Sequence, residues 1–242
     1  MNLSVFVLLT LVFLPTSYAS IPDSKRTASI ERVLNQNDEY KFTYLKTLGP
    51  QVYKDLRQIT FDSRRELDIR WKAFMAMVRI GEKESMPEVQ KALKSSEWYL
   101  RNAALRVLPA LDAKEAYTAA LGALNDSALV VRTAAVDTLA LVNNANCSDK
   151  LWIELYQKRN YIGEQSLWIR RHIVEALAKI AVKGSEEKFV KVLDDKDKTL
   201  YSPAIKGLER VTGKKFGSSD IPPTHLRFYW KKWFVENKSK EI

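Results

Sequence analysis

The sequence predicts an all-α protein, an α-solenoid of antiparallel helix pairs, and three observations predict it. Glycine and proline number only 8 each in 242 residues, too few for the many tight turns of a sandwich or barrel. Apolar residues recur at helical rather than strand spacing. One amphipathic segment also returns at a fixed period along the chain, the mark of a repeat architecture. With 46% hydrophobic and 28% charged residues, the chain is neither disordered nor fibrous.

The first element is an export signal. Val5 to Leu14 is apolar except for Thr10. Crossing a bilayer takes about 20 residues, so a run of this length suits the core of a signal peptide. Pro15 ends it, and Ser17 and Ala19 place small residues where a signal peptidase reads, which sets the cut between Ala19 and Ser20. The segment before the run carries no Lys or Arg. The expected mature chain is exported, periplasmic or extracellular, and has no second apolar stretch long enough to span a membrane. Residues 20–49 are then an N-terminal cap: Ser20 to Thr27 is a loose lead-in, and Tyr40–Leu48, with Val52–Ile59 after it, covers the first repeat.

Residues 50–216 hold the repeat. Leu67-Asp-Ile-Arg70-Trp-Lys-Ala73, Trp98-Tyr-Leu-Arg101-Asn-Ala-Ala104, Leu129-Val-Val-Arg132-Thr-Ala-Ala135 and Leu167-Trp-Ile-Arg170-Arg-His-Ile173 align, with a looser fifth unit around Tyr201. The period is 31 residues, with one insertion of seven between Leu141 and Gln165. Apolar residues fall at offsets −3, −1, +3 and +7 from each arginine, one stripe of a helix, with Lys198 the exception. Ala73, Ala104 and Ala135 share an offset where a small side chain lets helices approach closely. Between these helices lie the segments Met86–Leu93, Ala113–Leu124, Lys150–Tyr156 and Glu186–Leu193, each after a break such as Gly81, Asp112 or Gly184-Ser185. Stacked helix pairs of this kind form a solenoid. Asn143–Ser148 and Lys158–Glu164 read as longer loops made by the insertion, and loops on a rigid scaffold often carry binding.

On these residues the chain resembles the HEAT-repeat proteins, specifically the short bacterial HEAT-like type also found in phycobilisome lyases. The match is best from Leu124 to Leu139. The family pattern sets an Asp six residues before the arginine: Asp126 with Arg132 fits it, Glu164 with Arg170 fits loosely, and Ser95 before Arg101 departs from it. The resemblance implies that Arg70, Arg101, Arg132, Arg170 and Asp126 form a structural ladder between repeats. Residues 217–242 resemble the Trp-rich tail that closes exported bacterial arrays of this type, with Pro222 and Pro223 starting its helix.

That tail holds much of the basic excess. The formal net charge is +10, and from Lys206 to Ile242 nine Lys or Arg stand against four Asp or Glu. Trp230, Trp233 and Phe234 form one stripe, as capping requires, while Arg227, Lys231 and Lys232 offer a possible surface attachment to anionic lipid or wall polymer. Catalysis has no support: His172 and His225 lie outside any metal-ligand spacing, Cys147 has no second cysteine, and no nucleophile elbow or phosphate loop is present. No enzyme activity, metal or cofactor is therefore expected. The best candidate surface is the pair of offsets +1 and +5 beside the buried stripe. These read Trp71 and Met75, Arg106, Asp137, Arg171 and Glu175, and Lys206, a mixed lane that suits a protein or peptide partner better than nucleic acid. The expected function is an exported binding scaffold. Envelope attachment through the tail is the alternative, and a lyase-like accessory enzyme stands third.

Overall fold

The computed structural model describes residues 23–36, 40–218 and 220–238, and the export signal expected at 1–19 lies outside them. Among the described residues the chain forms thirteen α-helices. Two come before the array, α1 (Asp23–Leu34) and α2 (Tyr40–Thr47). Five pairs follow: α3 (Gln51–Phe61) with α4 (Leu67–Gly81), α5 (Met86–Leu93) with α6 (Trp98–Leu111), α7 (Ala113–Ala123) with α8 (Leu129–Val142), α9 (Ser148–Leu155) with α10 (Ile169–Ile180), and α11 (Glu186–Val192) with α12 (Tyr201–Thr212). The chain closes with α13 (Pro223–Lys238). None of these helices is long and apolar enough to cross a membrane.

The second helices stack in chain order, α4 on α6, α6 on α8, α8 on α10 and α10 on α12, whereas each first helix packs chiefly on second helices. The layer in which neighbours pack more tightly lies on the inside of the curve. Its seam is lined by small residues: Ala73, Ala104, Ala135 and Ala204 are all fully buried. Packing within a pair is as close: a Cβ at Gly207 of α12 would meet the Phe189 ring of α11 at 2.4 Å.

Helix ends follow local chemistry. The Asp112 carboxylate accepts a hydrogen bond from the Glu115 N–H and caps α7. Gly213 ends α12 with φ +69°, the left-handed turn that glycine adopts without a steric penalty. Pro109 sits inside α6 and cannot donate to the Leu105 carbonyl. That carbonyl instead accepts the Thr138 hydroxyl from α8 at 2.9 Å, so a defect in one helix becomes a bond between repeats.

Three expectations are corrected. The Ser20–Thr27 lead-in was expected to be loose, but α1 begins at Asp23 because Ile30 and Leu34 are buried and Arg26 pairs with the buried Asp55 at 2.7 Å. Val52–Ile59 belongs to α3, the first helix of the first pair, and the N-terminal cover is α1 with α2. The inserted stretch is a folded element, not loops alone. Short turns at Ala145–Cys147 and Lys158–Asn160 flank α9, and a hairpin follows of β1 (Tyr161–Ile162) and β2 (Gln165–Ser166), paired Tyr161 to Ser166 across Gly163 at φ +58°. Buried Asn160 pins it by donating to the Glu154 carbonyl at 2.7 Å.

Candidate partner-binding face

The arginine ladder sets the geometry on which any site is built. Arg70 donates to both Glu97 oxygens at 2.7 and 2.6 Å, Arg101 to both Asp126 oxygens at 2.7 Å, and Arg170 to both Asp195 oxygens at 3.2 and 2.5 Å. Each arginine also donates to a carbonyl of its own repeat: Thr60, Ser95 and Ser96, and Leu155 in turn. The carboxylate comes from the following repeat, and the paired, two-pronged geometry fixes register as well as distance. The family pattern read on sequence is corrected at each step. Asp126 gives Arg132 only its backbone carbonyl, and its carboxylate accepts from Arg101 and from the Ala128 N–H. Glu164 pairs with Lys196 on the surface, not with Arg170. The Ser95 departure costs Arg101 nothing, since Asp126 supplies the acid. Hydrogen bonds from Arg70 hold the Glu97 carboxyl below the usual carboxylate range. Burial opposes the ionisation of Asp126, but hydrogen bonds from Arg101 and the Ala128 N–H outweigh it and its pKa also falls.

One rung lacks an acid. Buried Arg132 donates only to the carbonyls of Asp126, Ser127 and Arg159, and its Nε has no hydrogen-bond partner. Burial and then the neighbouring Arg159 charge lower its pKa. The insertion has put Arg159, held by buried Glu154 at 2.5 Å, where the other rungs have a carboxylate.

The last rung replaces arginine with Tyr201. Its hydroxyl donates to the Asp195 carbonyl at 2.8 Å and accepts from Arg227 of α13 at 3.1 Å. Lys231 pairs with Asp194 at 2.6 Å, and Trp230 is fully buried against Phe216 and Trp233. Of the three cations considered for surface attachment, Arg227 and Lys231 thus tie the cap to the array, while Lys232 is exposed beside Glu236.

With stripe and ladder accounted for, the candidate lane lies on the free face of the second helices. Arg106, Arg171, Glu175 and Lys206 are exposed there, and Asp137 is half-buried. Two expectations need correction: Trp71, read as exposed, is half-buried and packs on the core of the N-terminal repeats, as does Met75. The helices of the first repeats close over these larger side chains. The lane's polar groups bond within their own helix and across the seams, as Asn102 does to the Val130 carbonyl at 2.9 Å. Arg106 donates to Asn102 at 3.2 Å, Arg171 to Glu175 at 2.9 Å, and His172 Nδ1 lies 2.8 Å from Asp137 Oδ1 across the α8–α10 seam.

Sequence reasoning missed two features of this face. Trp168, read only as part of the apolar repeat, is 54% exposed and donates its indole N–H to Thr133 at 3.2 Å. It stands at the mouth of a cleft of about 790 Å³ between the inserted hairpin and the next repeat, with Tyr156, Tyr161, Arg170 and Asp197 in its wall. The signal was present in the seven added residues, which place an extra wall beside a standard rung. The other feature is offset +9. Arg79, Ala110, Leu141, Lys179 and Arg210 are all exposed there, one turn beyond the +5 lane. Among the described residues no group of His, Cys, Asp and Glu could hold a metal ion.

Two comparisons with known proteins give matches. Residues 53–140 match the family model for HEAT repeats. A solved crystal structure titled as an engineered protein is similar over 78% of this chain and 97% of that one, at 17% identity and a TM-score of 0.46. No curated protein matches the sequence.

Proposed function

On the premise that the chain is built on HEAT repeats, we propose that it is an exported, non-catalytic scaffold that holds a protein or peptide segment on the free face of its second helices. The observation that carries this reading is a division of labour along each second helix. The apolar stripe and the arginine hold the stack, while offsets +1, +5 and +9 take varied side chains, most of them exposed. Cross-seam bonds such as Asn102 to the Val130 carbonyl and Arg210 to the Ala178 carbonyl add to local ones there. A face largely relieved of structural duty can be specified by a partner, and exposed Trp, Tyr and Arg are the residue types that dominate such contacts. The export signal read in the sequence at 1–19 supports a partner outside the cytoplasm. Attachment through the tail is less favoured, because a lipid or wall polymer would have to displace Asp194 from Lys231 and Tyr201 from Arg227.

The test is a cross-linking capture from the source envelope with the full chain and with a Trp168→Ser, Arg171→Glu double variant. Arg171 is exposed and Trp168 is 54% exposed with its indole bonded to Thr133, so the variant should lose no more than about 1–2 kcal/mol and stay folded by circular dichroism. The reading expects a partner captured by the parent and lost by the variant. Recovery of the same partner by both would sink it.

A further inference from the structure

The lane read at offsets +1 and +5 is mixed in sign, with Arg106, Arg171 and Lys206 against Asp137 and Glu175. Adding the exposed +9 column changes the balance. Arg79, Lys179 and Arg210 join it, and no acid does, so the free face carries six Lys or Arg against two carboxylates. One of those carboxylates, Glu175, already faces Arg171, and the other, Asp137, faces His172.

The same face has an apolar recess at its N-terminal end. A groove of about 760 Å³ runs between α4 and α6 and is closed by α2. Its apolar wall includes Phe42, Met75, Val107 and Leu111, and its rim carries three cations, Arg79, Lys83 and Arg106, against the carboxylates of Glu82 and Glu84 in the turn after α4. Arg79 stacks on the Phe42 ring at 4.1 Å, which presents the guanidinium at the edge of the apolar wall. Farther along the same face Leu141 is 60% exposed.

We propose that the occupant of this face is an acidic peptide segment with an apolar anchor: the anchor sits in the Phe42–Met75–Leu111 groove, and its carboxylates lie along Arg106, Arg171, Lys179 and Lys206. Charge complementarity selects an acidic partner. The apolar groove and the carboxylates of Asp137 and Glu175 select against a uniform polyanion, which would meet like charge in mid-lane and leave the recess empty. This inference rests on the peptide-binding reading above and names the chemistry of its partner.

The experiment selects a library of random peptides, each about twelve residues long, on the immobilised full chain at low salt, then measures the enriched peptides by fluorescence anisotropy. Enriched sequences should place several Asp or Glu beside one Leu, Ile, Met or Phe. Their affinity should fall about tenfold or more between about 50 and 300 mM salt. It should fall about tenfold again with Arg106→Glu plus Lys206→Glu, at unchanged melting temperature. A Met75→Lys variant, checked for folding by circular dichroism, should remove the preference for the apolar residue. Enrichment of basic or uncharged peptides would overturn the acidic assignment and leave peptide binding standing. Acidic peptides without an apolar residue, displaced equally well by heparin, would make the face a general anion surface and overturn the proposal. No enrichment by the folded chain would overturn the peptide reading beneath it as well.

Discussion

Thr138 and Pro109 show how single residues couple neighbouring repeats. The Leu105 carbonyl, left without its i+4 helical donor by Pro109, is buried and accepts the Thr138 hydroxyl. Thr138→Val should cost about 1–3 kcal/mol in chemical denaturation, because a buried acceptor loses its partner. In a Pro109→Ala background the backbone N–H returns to that carbonyl, and the same substitution should cost measurably less; equal costs in both backgrounds would remove the coupling. The ladder makes a second statement at this scale. Arg170 is 1% exposed, and Arg170→Ala, which strands buried polar partners, should cost about 3–5 kcal/mol. The ladder also sets an acid limit. The carboxyls of Glu97 and Asp126 are depressed in the folded chain, so the unfolded chain binds their protons more tightly. Their stabilisation is complete above the ordinary carboxylate pKa of about 4 and is lost as pH falls through the lower folded values. Denaturation midpoints should therefore drop below about pH 4, and the drop should be shallower in Arg101→Ala.

Among the elements, the terminal helix and the insertion depart most from a plain repeat. Trp230 fills the end of the array and is fully enclosed, so Trp230→Ala should cost about 3–5 kcal/mol, whereas Lys232→Ala on the exposed face of α13 should be near neutral. Equal effects would mean that α13 does not close the core. The helices were legible in the sequence because burial imposes a period: offsets +3 and +7, and −1 in most units, are buried where the pairs stack. The expected −3 member of the stripe is instead exposed at Leu67 and Trp98 and lies at the helix start outside the core. Partner choice within the ladder was not legible from the spacing of Asp126 and Arg132. That acid reaches backwards to Arg101, a contact set by the stacking of repeats and not by separation along one helix. The hairpin was hidden for a different reason. Its strands have two residues each, too short for an alternating pattern, and Asn160 and Glu154 hold it through bonds that composition does not reveal. Likewise α1 lacks a strong apolar stripe and is ordered by Ile30, Leu34 and the Arg26–Asp55 pair.

The whole molecule separates its stabilising contacts from its accessible ones. Stripe, ladder and caps account for the stack, and the free face of α4, α6, α8, α10 and α12 keeps groups that the stack does not require. This separation was half visible in the sequence. Offsets +1 and +5 varied in chemistry as a free lane should, but the half-burial of Trp71 and the basic +9 column appear only once the helices are stacked. Site-specific photo-cross-linking tests the central claim most directly, with benzoyl-phenylalanine placed in turn at Arg106, Glu175 and Lys206 on the inner layer and at Thr118 and Lys150 on the outer one. The account expects partner adducts from the three inner positions and none from the two outer ones. Adducts of equal yield from Thr118 or Lys150 would contradict it.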